Sequence, residues 1–281
     1  LDPRIRSIGK VVIKLSLSAS ALYIVFQNID SQQLVDLATS ANAWLLFASL
    51  MAYNGSKVVS SVRLAFYFRA NSIHITEADN LRLYYLGMFY NLFLPGGIGG
   101  DAYKIWILHS ARGVPVKSSF QSLFIDRVSG MMMLSGLAFL FAWLAFPDAP
   151  WRNVLLIGLV SVIPAIYAVH HFLAKHFLPI IRSTSVLSLG VQGLQTISAW
   201  LLLMSLGVDE HIATYITVFL ISSMVSVLPI SIGGIGIREL VFISAASFSP
   251  ISKDVSVAFS LMFFVVTALS SLPGGFLKGR F

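Results

Sequence analysis

The chain has 281 residues, 57% of them hydrophobic and only 11% charged, where soluble domains average ~45–50% and ~25%. So few polar side chains cannot cover a water-facing surface, and one small core cannot hide so much apolar surface. A disordered chain, a disulfide scaffold and almost every soluble enzyme class are therefore excluded. The mean hydropathy of +0.83 and the net charge of +7 point to an all-α polytopic membrane protein with its basic residues gathered on the cytoplasmic side.

Arg4, Arg6, Lys10 and Lys14 precede an apolar stretch in the manner of a signal peptide. Phe26-Gln27-Asn28-Ile29-Asp30 is a poor cleavage site, so the expectation is a retained first span over 11–29. Further spans are expected at 43–68, 118–146, 153–173, 186–207 and 255–277, each long enough for the ~20 apolar residues that cross a bilayer. The second and third exceed the bilayer thickness and must tilt or protrude.

Two other apolar regions are broken. One, 78–112, is interrupted by Leu94-Pro95-Gly96-Gly97-Ile98-Gly99-Gly100; the other, 212–248, by Leu228-Pro229-Ile230-Ser231-Ile232-Gly233-Gly234-Ile235-Gly236. Proline and repeated glycine cannot continue a helix cheaply. Each region is expected to form two short helices joined by a loop, tolerated at membrane depth only where protein or water satisfies its backbone. The fold expected is thus six full spans plus two re-entrant helix pairs.

If each pair returns to its own side and the N-terminus is cytoplasmic, Arg69, Arg82, Arg112, Lys117, Lys175, Arg182, Lys278 and Arg280 join the four N-terminal bases inside. Outside fall Asp30, Asp36, Asp148, Asp209, Glu210 and Asp254, with only Arg152 and Lys253 among the bases. This separation favours the assignment, with both termini cytoplasmic and the two pairs entering from opposite faces.

The two loops align without a gap. Leu94-Pro95 matches Leu228-Pro229, Ile98-Gly99-Gly100 matches Ile232-Gly233-Gly234, and Lys104 matches Arg238. The shared pattern L-P-x-x-I-G-G-x-x-x-[KR] indicates an inverted repeat, with halves near 43–146 and 186–277 of a single membrane domain over 1–281. The alternative is two unrelated helix hairpins. Leu272-Pro273-Gly274-Gly275 echoes the first loop and is read as a span ending at a breaker.

Charges inside apolar segments are costly, ~2.5–3.5 kcal/mol each at the bilayer centre, and mark sites. Here they are Asp101, Lys104, Asp126, Arg127, Arg238 and Glu239, with Lys57 and Arg63 in the second span. Each has a plainer reading. Asp101 follows Gly100 and suits the N-cap of a helix over 102–112. Arg238 and Glu239 suit mutual neutralisation, and Arg127 suits snorkelling to the surface. Asp126 and Arg127 are adjacent, so they sit on different faces and reach different helices. For Lys57 and Arg63, snorkelling and structure are favoured.

Taken together these residues describe an anion pocket. The half-helix after Gly100 points its N-terminus inward, where free N–H groups and the helix dipole attract an anion. Lys104, Arg127 and Arg238 supply full positive charge. The candidate substrate-binding set is Gly96, Gly97, Gly99, Gly100, Asp101, Lys104, Asp126, Arg127, Gly233, Gly234, Gly236, Arg238 and Glu239. A phosphate fits such a pocket, and in a membrane it belongs to a lipid headgroup or a polyprenyl phosphate.

Phe93-Leu94-Pro95-Gly96-Gly97-Ile98-Gly99-Gly100-Asp101-Ala102-Tyr103-Lys104, then Asp126-Arg127-x-x-Gly130, then Gly233-Gly234-Ile235-Gly236-Ile237-Arg238-Glu239 resembles the lysylphosphatidylglycerol synthase transmembrane-region family. That is the flippase-like domain of the bacterial multiple peptide resistance factor. The position of Lys104 often holds Arg in that family, so the charge is kept while the fork becomes a point charge. With the sequence ending at Phe281, the expectation is a standalone member without the soluble synthase domain. The resemblance implies lipid translocation in a bacterial cytoplasmic membrane. Family relatives are associated with aminoacyl-phospholipids, hopanoid lipids and glycolipid pathways. The partners implied are membrane lipids, through a phosphate headgroup, with a homodimer or a pathway enzyme as further partners and no nucleic acid.

Nothing in the sequence suggests a cofactor, a metal or a catalytic motif. Cysteine is absent, and no G-x-S-x-G, Walker or dinucleotide fingerprint occurs. His170-His171-x4-His176 lies beside Lys175 and reads as a polar cap at a span end. Two other classes remain: a secondary transporter of a soluble anion, and a membrane-embedded lipid-modifying enzyme using Asp101, Asp126 or Glu239 as acid or base.

Overall fold

The computed structural model describes residues 31–93, 99–227 and 236–277. The expected span at 11–29, both loop tips with Gly96, Gly97, Gly233 and Gly234, and Lys278 and Arg280 lie outside the described residues.

Among the described residues all regular structure is helical. In chain order the helices are α1 (Ser31–Ser40), α2 (Ala43–Ala70), α3 (Glu77–Phe93), α4 (Gly99–Arg112), α5 (Val116–Ala145), α6 (Arg152–Leu173), a 3₁₀ segment (Lys175–Ile180), α7 (Ile181–Ser205), α8 (Ile212–Ser226), α9 (Ile237–Ala246) and α10 (Lys253–Phe276). The spans expected from 43, 118, 153, 186 and 255 onward are α2, α5, α6, α7 and α10. The short α1, which packs on α10 through Leu37, has no counterpart in the sequence reading.

Local chemistry sets the helix ends. The Asn42 side chain accepts the N–H groups of Trp44 (3.0 Å) and Leu45 (3.3 Å) and starts α2. α4 and α7 both end on a glycine in the left-handed region, Gly113 (φ 65°) and Gly207 (φ 75°). Each closes with the next residue's N–H returning to the helix, Val114 to the Leu108 carbonyl and Val208 to that of Leu203.

Among the described residues four segments are long and apolar enough to cross a membrane: α5, α6, the 3₁₀ segment with α7, and α10. α6 is the outermost, with only 17% of its apolar window buried against 50% for α10. Val154, Ile157, Val160 and Ile163 point outward from it, as lipid contact requires. α2 carries Lys57, Arg63 and Arg69 and is held by its neighbours instead.

The axis of the bundle is the antiparallel pair α2/α7. Its seam runs from Asn42 N–H on the Ser205 carbonyl (3.0 Å), through Ser49 on Ser198 (2.9 Å), to Arg63 on Ser188 (2.9 Å). Serine and glycine fill this seam, with Gly55 facing Leu194 and Gly190 facing Val59. Small residues let backbones approach closely, which drives association where lipid removes the hydrophobic incentive.

Each member of the pair carries a helix hairpin at its C-terminal end. α3 and α4 pack antiparallel, and Arg112 at the end of α4 reaches back to Asp79 in the first turn of α3 at 2.8 Å. Tyr90 and Tyr103 stack at 3.8 Å deeper in the hairpin. α8 and α9 also pack together, and the Tyr215 hydroxyl in α8 accepts the Ser252 N–H that follows α9 (3.0 Å). Because α2 and α7 run antiparallel, the hairpins open at opposite ends of the bundle. The last helix of each half then packs on the other half's hairpin, α5 on α8 and α10 on α3. In the second contact Gly274 lies against the Tyr85 backbone, where any Cβ would overlap it. The Leu272-Pro273-Gly274-Gly275 echo therefore builds this contact, and α10 ends just beyond it, at Phe276.

Candidate functional site

The inner ends of both hairpins face one cavity of about 580 Å³, walled by α2, α3, α4, α5, α7, α8, α9 and α10. α2 contributes Tyr53, Lys57, Ser60 and Arg63; α4 contributes Asp101 and Lys104; α5 contributes Asp126, Arg127 and Gly130; α9 contributes Arg238. The wall thus holds five cations and two carboxylates.

Asp126 and Arg127 do serve different helices. Asp126 takes Arg63 of α2 through two bonds, Nε at 2.7 Å and an Nη at 3.1 Å. Both groups are buried, and the Ser188 hydroxyl accepts the remaining Arg63 fork. A paired, fully hydrogen-bonded charge is the arrangement that survives burial. Gly130 makes room for it: a Cβ there would sit 3.1 Å from the Arg63 guanidinium. Asp126 and Gly130 of the D-R-x-x-G motif thus serve one buried ion pair. Arg63, favoured as a snorkelling or structural residue, is structural and does not snorkel.

Arg127 turns the other way and pairs with Asp101 of α4, whose second oxygen receives Lys104 Nζ at 3.2 Å. Lys104 Nζ also rests 4.6 Å over the Tyr84 ring. α4 begins at Gly99, so Asp101 sits inside its first turn rather than at the N-cap. Its carboxylate is the centre of a three-residue cluster. The N–H of Gly100 is not free for an anion, because the Asn91 side chain accepts it at 2.8 Å. Gly99 and Gly100 are absent from the cavity wall. Gly100 instead abuts the Gly87 backbone and so sets the closeness of α3 and α4.

The second hairpin is arranged differently. Glu239 makes no direct ion pair with Arg238, although its charge lies near enough to favour the guanidinium. Its carboxylate accepts the Gly236 N–H (2.6 Å) and the Ser260 hydroxyl (2.7 Å), capping α9 and tying it to α10. Gly236, at φ 86°, supplies the turn that allows this, and neither it nor Glu239 lines the cavity. Arg238 does line it, and its Nε is buried with no hydrogen-bond partner among the described residues. The guanidinium lies 5.1 Å over Phe263 and 5.9 Å over Phe219.

Lys57 is the residue that sequence reasoning underrated. It is 9% exposed, has no acidic partner among the described residues, and places Nζ 4.0 Å over Tyr53. Tyr53 and Phe263 meet edge to face with centroids 5.6 Å apart. The two cations without carboxylates therefore rest on neighbouring rings, one from each half of the chain. Tyr53, Lys57 and Ser60 at i, i+4 and i+7 form one helix face, a signal that the sequence did contain.

These features define a polytopic membrane protein in which two opposed hairpins enclose a cation-rich cavity. The family model described as Lysylphosphatidylglycerol synthase TM region matches residues 11–274, and the chain belongs to that family, a membrane domain associated with lipid handling. A search of curated proteins returns no match for this chain.

Proposed function

We propose that the protein translocates a phosphate-bearing lipid across the bacterial cytoplasmic membrane. The headgroup passes through the cavity while the acyl chains stay in lipid, and no covalent chemistry is done on the substrate. The observation that carries this reading is the pair Lys57 and Arg238, two cations without acidic partners on adjacent rings inside the bundle. Such a pair calls for an anion, and a cavity among membrane-spanning helices supplies one as a lipid phosphate. The hairpins support alternating access. Each half has the order span, hairpin, span, the hairpins open at opposite ends, and each half closes on the other's hairpin. We read this as an inverted repeat with re-entrant pairs, the first entering from the cytoplasm, where the bases at its mouth lie.

The test uses the chain reconstituted in vesicles holding a fluorescent phospholipid whose leaflet is read by a membrane-impermeant quencher. Transport is expected for the wild type and is lowered at least ~10-fold in Arg238→Gln and Lys57→Gln, the loss of one charge-assisted contact. Flux of a soluble anion without lipid movement would favour the carrier reading, and a chemically altered lipid would favour an enzyme. Because the chain has no cysteine, single cysteines at Ala78, Ser110, His211 and Ser249 report the topology. In intact cells only those at 211 and 249 react with an impermeant thiol reagent if both pairs are re-entrant.

A further inference from the structure

The cavity also restricts what the headgroup carries besides its phosphate. Both carboxylates in the wall are spent: Asp126 gives its two oxygens to Arg63, and Asp101 divides its two between Lys104 and Arg127. The nearby Glu239 is turned away into its helix cap. Neither tip sequence, 94–98 or 228–235, contains an acidic residue. Aromatic faces are the other recognised seat for an ammonium, and those of Tyr53 and Tyr84 already carry Lys57 and Lys104. Arg238 covers Phe263 and Phe219. Phe124 is the lining ring that carries no cation, and the wall's neutral polar groups include Asn91, Gln195 and Ser223.

We infer that the site, taken as the lipid-phosphate site proposed above, selects a phosphodiester with an uncharged, hydroxylated substituent and rejects a headgroup bearing an ammonium group. The phosphate lies between Lys57 and Arg238, and the hydroxyls bond to the amide and serine side chains. An added aminoacyl ammonium meets an uncompensated excess of positive charge and finds no unpaired carboxylate among the described residues of the wall. Like charges brought together at a recognition site repel and suppress the wrong partner.

The experiment is competitive binding to the purified chain in detergent, followed by native mass spectrometry. The probes are phosphatidylglycerol, lysylphosphatidylglycerol of the same acyl chains, and soluble glycerol 1-phosphate. Phosphatidylglycerol is expected to bind at least ~10-fold tighter than the lysyl lipid, and Arg238→Gln to lower phosphatidylglycerol binding more than lysyl-lipid binding. Equal or tighter binding of the lysyl lipid by the wild type overturns the inference without any variant having to fold. Selective binding without flipping in vesicles upholds the headgroup selectivity and removes the transport reading. Glycerol 1-phosphate competing as well as the lipid upholds the headgroup chemistry and moves the source to a soluble anion. Binding of none of the three overturns both.

Discussion

The two hairpins share a shape but not an electrostatic arrangement. In the first, the acid precedes the base by three residues, so Asp101 and Lys104 lie on one helix face and join, with Arg127 as a third member. In the second, the acid follows the base by one residue, about a quarter turn away, so Glu239 cannot share a face with Arg238. It turns back to the Gly236 N–H instead, and Arg238 keeps its charge for the cavity. A shift in the register of one carboxylate thus separates a self-neutralised hairpin from one that exposes a cation. The base alone, matched in the alignment of the two loops, does not tell the two apart.

The sharpest way to test a paired cation against an unpaired one is to remove the carboxylate of the buried Arg63–Asp126 pair. Asp126→Ala strands Arg63 in the bundle and is expected to cost ~3–5 kcal/mol, read as a large fall in thermal stability in detergent. Arg63→Leu combined with Asp126→Leu should recover most of that loss. A small effect of Asp126→Ala would show that Arg63 reaches water and that paired and unpaired cations of the wall do not differ. At Arg238, which has no ion pair among the described residues, the opposite sign is expected: Arg238→Gln should leave stability within ~1 kcal/mol of wild type or raise it, even as transport falls. A loss as large as that of Asp126→Ala would mean that Arg238 has a structural partner.

Smaller changes sharpen the geometry. Gly100→Ala puts a Cβ into the Gly87 backbone, which cannot step aside, and should cost ~1–3 kcal/mol. Gly87→Ala meets the flexible Lys104 side chain first. It should cost less, while shifting Lys104 and lowering lipid binding. The smallest effect is at the mouth of the first hairpin, outside the spans. Partial burial there works upward on the Asp79 carboxyl, but hydrogen bonds from Thr76 and Arg112 and the charges of Arg112 and Arg82 outweigh it and hold it below the ordinary carboxylate range. A depressed acid stabilises the fold above its unfolded pKa, ~3.9, and loses that contribution as pH falls through the lower folded value. Asp79→Asn should therefore cost under ~1 kcal/mol at neutral pH, with the difference vanishing in unfolding measurements at strongly acid pH.

Much of this was legible in the residues. Apolar run length placed α5, α6, α7 and α10 closely, because a bilayer imposes that length, and it located α2 as a helix although its charges keep it from qualifying as a span on its own. Proline and glycine located the breaks of both hairpins. Adjacency alone showed that Asp126 and Arg127 serve different helices. What the sequence hid were partners distant along the chain. Nothing near Gly100 reveals that Asn91 takes its N–H, and nothing near Arg63 distinguishes snorkelling from a pair with Asp126 on another helix. Lys57 was set aside for the same reason: its role depends on Phe263 and Arg238, brought beside Tyr53 only by the packing of α10 and α9. The short α1 escaped because its ten residues are too few and too polar overall to register as a span.

The Arg63–Asp126 pair also bears on how the chain enters a membrane. Synthesis is sequential, and Arg63 is made well before its carboxylate. During that interval α2 presents Arg63 without the carboxylate that it takes in the fold, and an arginine at the bilayer centre opposes insertion by ~2.5–3.5 kcal/mol on translocon scales. α2 is therefore a poor independent inserter. Its settled transmembrane position is fixed retrospectively, when α5 arrives with Asp126 and α7 with Ser188. A nascent chain stopped short of residue 126 should leave α2 in exchange between the insertion machinery and the interface, whereas one extended through α7 should hold it.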